Sequence, residues 1–463
     1  MLVRVASFVL CCAVVATAHS AELPDNYAAH AFRVLNDNGA WSWFMDERAI
    51  VDRGKLLVGS VRALGELRKD GGRGERDPHG GDIQLDVLDL ASGEVEHVVL
   101  HPNLEPDDHD GPALLVRPDG RYLAVYTRHG ADRTIRTRVS EPGNPLAWGP
   151  VVDFETPGET VRFGGDSVTY SNLFRLPDGR TYDFHRGVDH DPNYLVSDDD
   201  GSTWRYGGRV LHGRDGYSPY LKYAYDGAGT LHFVVTEDHP RNFDNSLYHG
   251  FLRGGKLHRS DGAEVGPLSQ SREVAINAWD FTKIFPGDPD RVAWMCDVEL
   301  DADGRPYTAF SVQRDGRGLP RKEGGFDHRY HYARFDGREW RQYEAAYAGH
   351  RLYPGEDDYT GLAALDPRDP NVMYVSTSAD PATGVPLKSR ADGRRHYELY
   401  RGVTSDRGAT WSWTPLTANS TVDNLRPIVP KGSDGRTVLV WMRGRYFSNN
   451  REWTTKVVAA TLE

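Results

Sequence analysis

Apolar positions along this chain alternate with polar ones in short runs, and the runs repeatedly follow an Asp-Gly pair. The unit recurs at residues 117–126, 176–184, 225–233, 301–310 and 432–440, with pairs at Asp119-Gly120, Asp178-Gly179, Asp226-Gly227, Asp303-Gly304 and Asp434-Gly435. Asp-Gly ahead of alternating apolar residues predicts a hairpin, because Gly takes a positive φ at no steric cost and Asp tolerates it. The units lie roughly fifty to eighty residues apart, the size of one four-stranded propeller blade with its loops. Dividing the chain by that unit gives roughly six to eight blades, and seven fits best. No long helical periodicity is present. The pattern predicts an all-β chain folded as a single seven-bladed β-propeller over residues 21–463.

Two segments, Ser197 to Trp204 and Thr404 to Trp411, share the pattern Ser/Thr-x-Asp-x-Gly-x-Thr-Trp. Such a box closes a turn with side-chain hydrogen bonds and pins it with a Trp, so Asp199 and Asp406 are expected as turn residues rather than catalysts. The polar piece Arg68 to Pro78 reads as a surface loop.

Composition agrees with many short strands: Gly (49), Pro (27), Tyr (23) and Trp (11) are plentiful. The first twenty residues change the expected compartment. A lone Arg4, an apolar run from Val5 to Val15 and small residues at Ala16, Ala18 and Ser20 have the layout of a secretory signal peptide, which predicts export. Cys11 and Cys12 lie inside it. Cys296 is then alone in the mature chain, which excludes an internal disulfide. No later stretch is apolar enough for a membrane span, and a net charge of -12 argues against a nucleic-acid binder. A local Arg/His cluster can still make one face attractive to an acidic ligand. The expected product is a monomer, secreted or periplasmic.

The 18 histidines include two in suggestive places. His109 in Asp107-Asp-His-Asp110 and His129 in Tyr126-Thr-Arg-His-Gly130 flank the Pro118-Asp-Gly120 turn, so antiparallel pairing returns both to one rim. Tyr170 and Arg186 flank the Pro177-Asp-Gly179 turn in the same way. Tyr beside Arg and His suits elimination from a uronic acid. A base must take the C5 proton, a cation must offset the neighbouring carboxylate, and an acid must protonate the leaving oxygen. Arg186 fits the cation, and Tyr170 with His109 or His129 fits base and acid. Tyrosine acts as a base only where cationic neighbours lower its pKa, which a basic pocket is expected to do.

The segments Trp41 to Arg48, Asp107-Asp-His109, Tyr126 to Gly130, Tyr170-Ser-Asn172, Phe184 to Gly187, Gly355 to Ala363 and Asp423 to Pro427, in this order, resemble the BNR-4 repeat family that includes ulvan lyases. The resemblance implies a seven-bladed propeller binding a sulfated, uronic-acid-containing glycan and cleaving it by β-elimination. It implies that His109, His129, Tyr170 and Arg186 are catalytic, and that Tyr220 and His239 line the substrate site. No cofactor is required for that chemistry. Some members of the family carry a structural metal bound partly by His and Cys, so zinc or calcium is considered, with Cys296, His249, His258, His328 and His331 as possible ligands. None of these shows compact ligand spacing, and a buried, unliganded Cys296 is preferred. The run Glu356-Asp-Asp358 is a second cation candidate, read first as fixing a turn or an Arg. The rival readings are a propeller hydrolase acting on rhamnose–glucuronate linkages and a non-catalytic glycan-binding propeller.

Overall fold

The computed structural model describes residues 23–65, 77–158, 166–213, 216, 218–432 and 435–462. The segment read as a signal peptide, with Cys11 and Cys12, and most of the piece 68–78 read as a surface loop lie outside these residues. The described chain is almost entirely strand and turn, broken only by three short 3-10 turns, Asp108–Asp110, Val188–His190 and Ala278–Asp280. None of its helices is long and apolar enough to cross a membrane.

Seven antiparallel sheets follow one another along the chain and make the seven blades expected from the repeat. Blade I spans 49–101, II 113–155, III 169–209, IV 220–285, V 292–349, VI 363–415 and VII 423–462. The strand Arg33–Asn36 closes the ring by pairing with Trp453–Leu462 as the outer strand of blade VII. Residues from the two ends of the chain thus share one sheet, and ladder hydrogen bonds rather than a covalent link hold the ring shut.

The Asp-Gly pairs mark the hairpin between the first two strands of blades II, III, IV and V, and Gly435 stands at the same place in blade VII, its partner Asp434 lying outside the described residues; Gly120, Gly179, Gly227, Gly304 and Gly435 all have φ between 70° and 82°. All five turns therefore sit on one face of the ring. Entries to first strands and exits from second strands sit on the other.

Both boxed turns form as expected. Asp199 accepts from the Thr203 N–H at 2.8 Å and from the Ser197 and Thr203 hydroxyls at 2.7 and 2.8 Å, and Asp406 repeats the set with Thr410 and Thr404. Trp204 is buried and donates to the Thr137 hydroxyl of blade II, whereas Trp411 is only half-buried. Asp199→Ala is expected to cost about 1–2 kcal/mol in denaturant unfolding, the scale of a few exposed hydrogen bonds, and to leave activity unchanged.

The segment 41–45 runs under the candidate face before blade I begins. Trp43 donates to the Met295 carbonyl and packs edge-on against Trp294 and Tyr359, while Phe44 packs against Tyr170, Tyr220 and Trp294. These rings are almost fully buried and make the floor on which the site is built.

Candidate active site

Every candidate site residue lies at the strand ends opposite the Asp-Gly turns. His109 is in the 3-10 turn entering blade II, and His129 follows that blade's second strand, Tyr122–Tyr126. Tyr170 stands at the start of Thr169–Arg175 and Arg186 at the end of Thr181–Arg186. Tyr220 opens Tyr220–Tyr225, and His239 follows Thr230–Thr236.

Across blades II, III and IV these side chains form one continuous row. The His109 and His129 rings stack at 4.0 Å with 12° between planes, and Tyr170 is 5.6 Å from His109. Tyr220 is 6.0 Å from Tyr170, and His239 is 5.8 Å from Tyr220. The two pairs expected from hairpin geometry, His109 with His129 and Tyr170 with Arg186, thus stand together, and Tyr220 and His239, expected from the resemblance, extend the same row. Most of the row is buried, but the His129 side chain keeps 24% of its surface exposed.

Tyr170 has φ of 65°, a left-handed conformation that costs a bulky residue about 1–3 kcal/mol. It sits in a register shift between Thr169 and Asn172, where the first strand of blade III bulges. The Asn172 amide holds the bulge by donating to the carbonyls of Tyr170 at 2.7 Å and Phe184 at 2.9 Å, and the Asn172 N–H donates to Asp183. This explains the Tyr-Ser-Asn order: the bulge turns the phenol across the face, and the amide two residues on keeps it there.

The Arg186 guanidinium stands 4.8 Å over the Tyr170 ring and donates to the Tyr220 hydroxyl at 3.2 Å and the Thr169 hydroxyl at 3.3 Å. Among the described residues no carboxylate forms an ion pair with it. A largely buried cation held only by hydroxyls and a π-face is equipped to receive an anion.

The two imidazoles carry different charges. Burial pushes His109 down, but Asp108 and Asp107, each with an oxygen 2.7 Å from Nδ1, outweigh it and raise the ring to about 9. Burial and the neighbouring His109 cation lower His129 to about 4 despite Asp107. At neutral pH the pair holds one imidazolium and one neutral ring, as two cations stacked this closely would repel. Stability drawn from the raised His109 is fully present below the unfolded value of 6.5 and is lost as pH rises through about 9. An NMR titration of the ring protons is expected to show His109 charged and His129 neutral between about pH 5 and 8; a charged His129 at neutral pH would contradict this electrostatic picture.

Tyr170 departs from expectation. Burial, reinforced by Tyr220, outweighs Arg186 and holds the phenol well above its ordinary value of 10. In the free protein the phenol is thus held protonated at neutral pH rather than poised as a base.

Sequence reasoning gave no role to Asp107 and Asp108 and did not connect Asp358 with His239, yet these carboxylates hold the row in place. Asp107 bonds to both histidines. Asp108 pairs with the buried Arg426 of blade VII at 2.6 Å, and Asp358 faces His239 Nδ1 at 3.1 Å. The Asp107-Asp108 doublet beside His109 was the available signal; the Arg426 contact, from a residue 318 positions away, left none.

The proposed His/Cys metal ligands do not converge. Cys296 is buried and free, His249 bonds to His232 and Ser260, His328 to the Asp357 carbonyl and His331 to Gln342. His258 stacks on Phe251. Among the described residues, groups of three possible ligands form only at Asp107, His109 and His129 and at His239, Glu356 and Asp358. In the first, both ring nitrogens facing Asp107 carry hydrogen bonds to it. In the second, Arg241 and Arg321 already occupy Glu356, and two guanidiniums oppose an added cation. Glu356 and Asp357 thus bind arginines, and Asp358 faces His239.

A cleft of about 440 Å³ lined by Arg241, Phe243, Leu319, Arg321, Asp357 and Asp358 adjoins the His239 end of the row. A larger one, about 790 Å³, lies between blades III and IV at the turn face, beside Pro177 and Gly254. No candidate residue lines it, so the chemistry rather than the volume locates the site.

Fold and site define a seven-bladed propeller with a cationic, aromatic row on one face. Residues 76–348 match the BNR repeat-containing family, and the chain belongs to that family. Among solved structures it is similar to a PL25 ulvan lyase bound to -[GlcA(1-4)Rha3S]-, with 15% identity, a TM-score of 0.64 and coverage of 92% of this chain and 95% of that one. A second structure of a PL25 ulvan lyase gives 14% identity and a TM-score of 0.63 over the same shares. The polysaccharide lyase Uly1 gives 12%, 0.53 and 90% of each chain. At these identities the likeness speaks for the fold. No curated protein matches the chain in sequence.

Proposed function

We propose that the protein is an exported polysaccharide lyase that cleaves a uronic-acid-containing, ulvan-type glycan by β-elimination. The observation that carries this reading is Arg186, a largely buried cation without a carboxylate partner, set against Tyr170 and beside a histidine pair of unequal charge. A uronate carboxylate placed on Arg186 loses the charge that opposes removal of its C5 proton. His129, neutral and partly exposed, is equipped to take that proton. Tyr170, held protonated, and the His109 imidazolium are equipped to donate one to the departing O4. The C5–H and C4–O bonds break, the C4–C5 double bond forms, and one proton is taken while one is given. The scheme draws only on protein side chains.

The ulvan lyases of the same fold support the substrate class, and the cleft of about 440 Å³ beside His239 offers room for a further sugar of a polymer. The amino-terminal twenty residues are proposed to be removed on export, which sequencing the mature amino terminus checks.

The test is ultraviolet absorbance of the unsaturated uronate while the purified protein acts on ulvan and a panel of other uronic-acid polymers. Rising absorbance is expected on at least one polymer. New reducing ends without absorbance would replace the reading with a hydrolase, and binding without cleavage of any polymer would replace it with a glycan-binding propeller.

A further inference from the structure

Asp107 is completely buried, yet its carboxylate faces five donors. Oδ1 lies 2.7 Å from His109 Nδ1 and 3.1 Å from the His109 N–H, and Oδ2 lies 3.0 Å from His129 Nδ1. From blade VII, Asn450 Nδ2 reaches both oxygens at 2.9 Å and Arg451 Nε reaches Oδ2 at 2.9 Å. An ionised carboxylate only accepts, so a ring nitrogen bonded to it must carry a proton. The geometry places a proton on Nδ1 of both rings at once, and among the described residues neither Nε2 has a hydrogen-bond partner.

We infer that Asp107 is a positioning residue that holds both imidazoles with their protons on Nδ1 and presents both Nε2 atoms to the substrate. This deepens the elimination reading and rests on it for its catalytic meaning. Neutral His129 thereby offers an Nε2 lone pair to the substrate, while His109 offers an Nε2–H. A single carboxylate also fixes the stack, since rotation of either ring breaks its bond to a group that Asn450 and Arg451 hold still. The anchor belongs to the blade that the amino-terminal strand closes, so ring closure and the histidine pair are mechanically linked.

The inference is tested by nitrogen-15 spectra of the histidine side chains in the intact protein, which report the protonated nitrogen of each ring, and by kinetics on a responsive uronate polymer. In the wild-type protein His129 is expected as the Nδ1–H tautomer. Asp107→Asn presents an amide that can donate to a ring nitrogen, so His129 is expected to shift toward Nε2–H, with kcat reduced about ten- to a hundredfold and KM little changed. Asn450→Ala, which leaves the carboxylate in place, is expected to retain the tautomer and lose less activity. A wild-type His129 protonated on Nε2 would overturn the inference, whether or not Asp107→Asn folds. So would an Asp107→Asn protein with unchanged tautomer and kcat. If no polymer is cleaved, the lyase reading falls, while the spectra still decide the role of Asp107.

Discussion

Tyr170→Phe is expected to lower kcat on a uronate polymer by at least about a hundredfold, the scale of a lost proton-transfer group, with the protein still folded. Only the hydroxyl is removed. The ring keeps its contacts with Phe44, His109 and Tyr220, and the bulge is held by the backbone and Asn172 rather than by the phenol. Arg186→Ala is expected to cost about 10²–10³ through loss of the charge facing the uronate carboxylate. Steady-state kinetics with circular dichroism check both. Near-normal turnover in both folded variants would remove the row from the chemistry.

Arg426→Ala is expected to destabilise the fold by about 3–5 kcal/mol, because it removes one of the two cations that hold a buried carboxylate and leaves only His109 beside it. Arg426 is 1% exposed and Asp108 is fully buried. The guanidinium donates to Asp108 Oδ2 at 2.6 Å and also to the Trp41 carbonyl, and it lies 4.7 Å from the Tyr446 ring. It thus ties blade VII to the segment under the site and to the turn entering blade II. Burial raises Asp108, but Arg426 and His109 more than offset this and leave it below its ordinary 3.8. The associated stability is present above that value and is lost as pH falls through the lower folded one. The double variant Arg426→Ala with Asp108→Asn is expected to lose less than the sum of the singles in urea unfolding. Strict additivity would mean that the pair is not coupled.

The fold was legible because one local signal repeats. Asp-Gly marks the first hairpin in five blades, and it fails where chemistry differs: blade I turns through Arg53-Gly54 and blade VI through the longer 366–371 segment. The site was legible for a related reason. His109 with His129 and Tyr170 with Arg186 flank such turns, so hairpin geometry alone returns each pair to one face. What sequence could not supply was the environment. Tyr170 was expected to be lowered by its basic neighbours, but burial depends on Phe44 and Tyr220, which reach it from elsewhere in the ring. The contacts of Asp107 with Asn450 and of Asp108 with Arg426 cross more than 300 positions and appear only once the ring is closed.

Elimination, the proposed reaction, breaks the bond without adding water. Digestion in oxygen-18 water followed by mass spectrometry of the shortest products tests it most directly. Elimination is expected to give unlabelled products whose non-reducing end is a uronate lighter by one water. Oxygen-18 incorporated at the cleaved bond, with no unsaturated end, would contradict it.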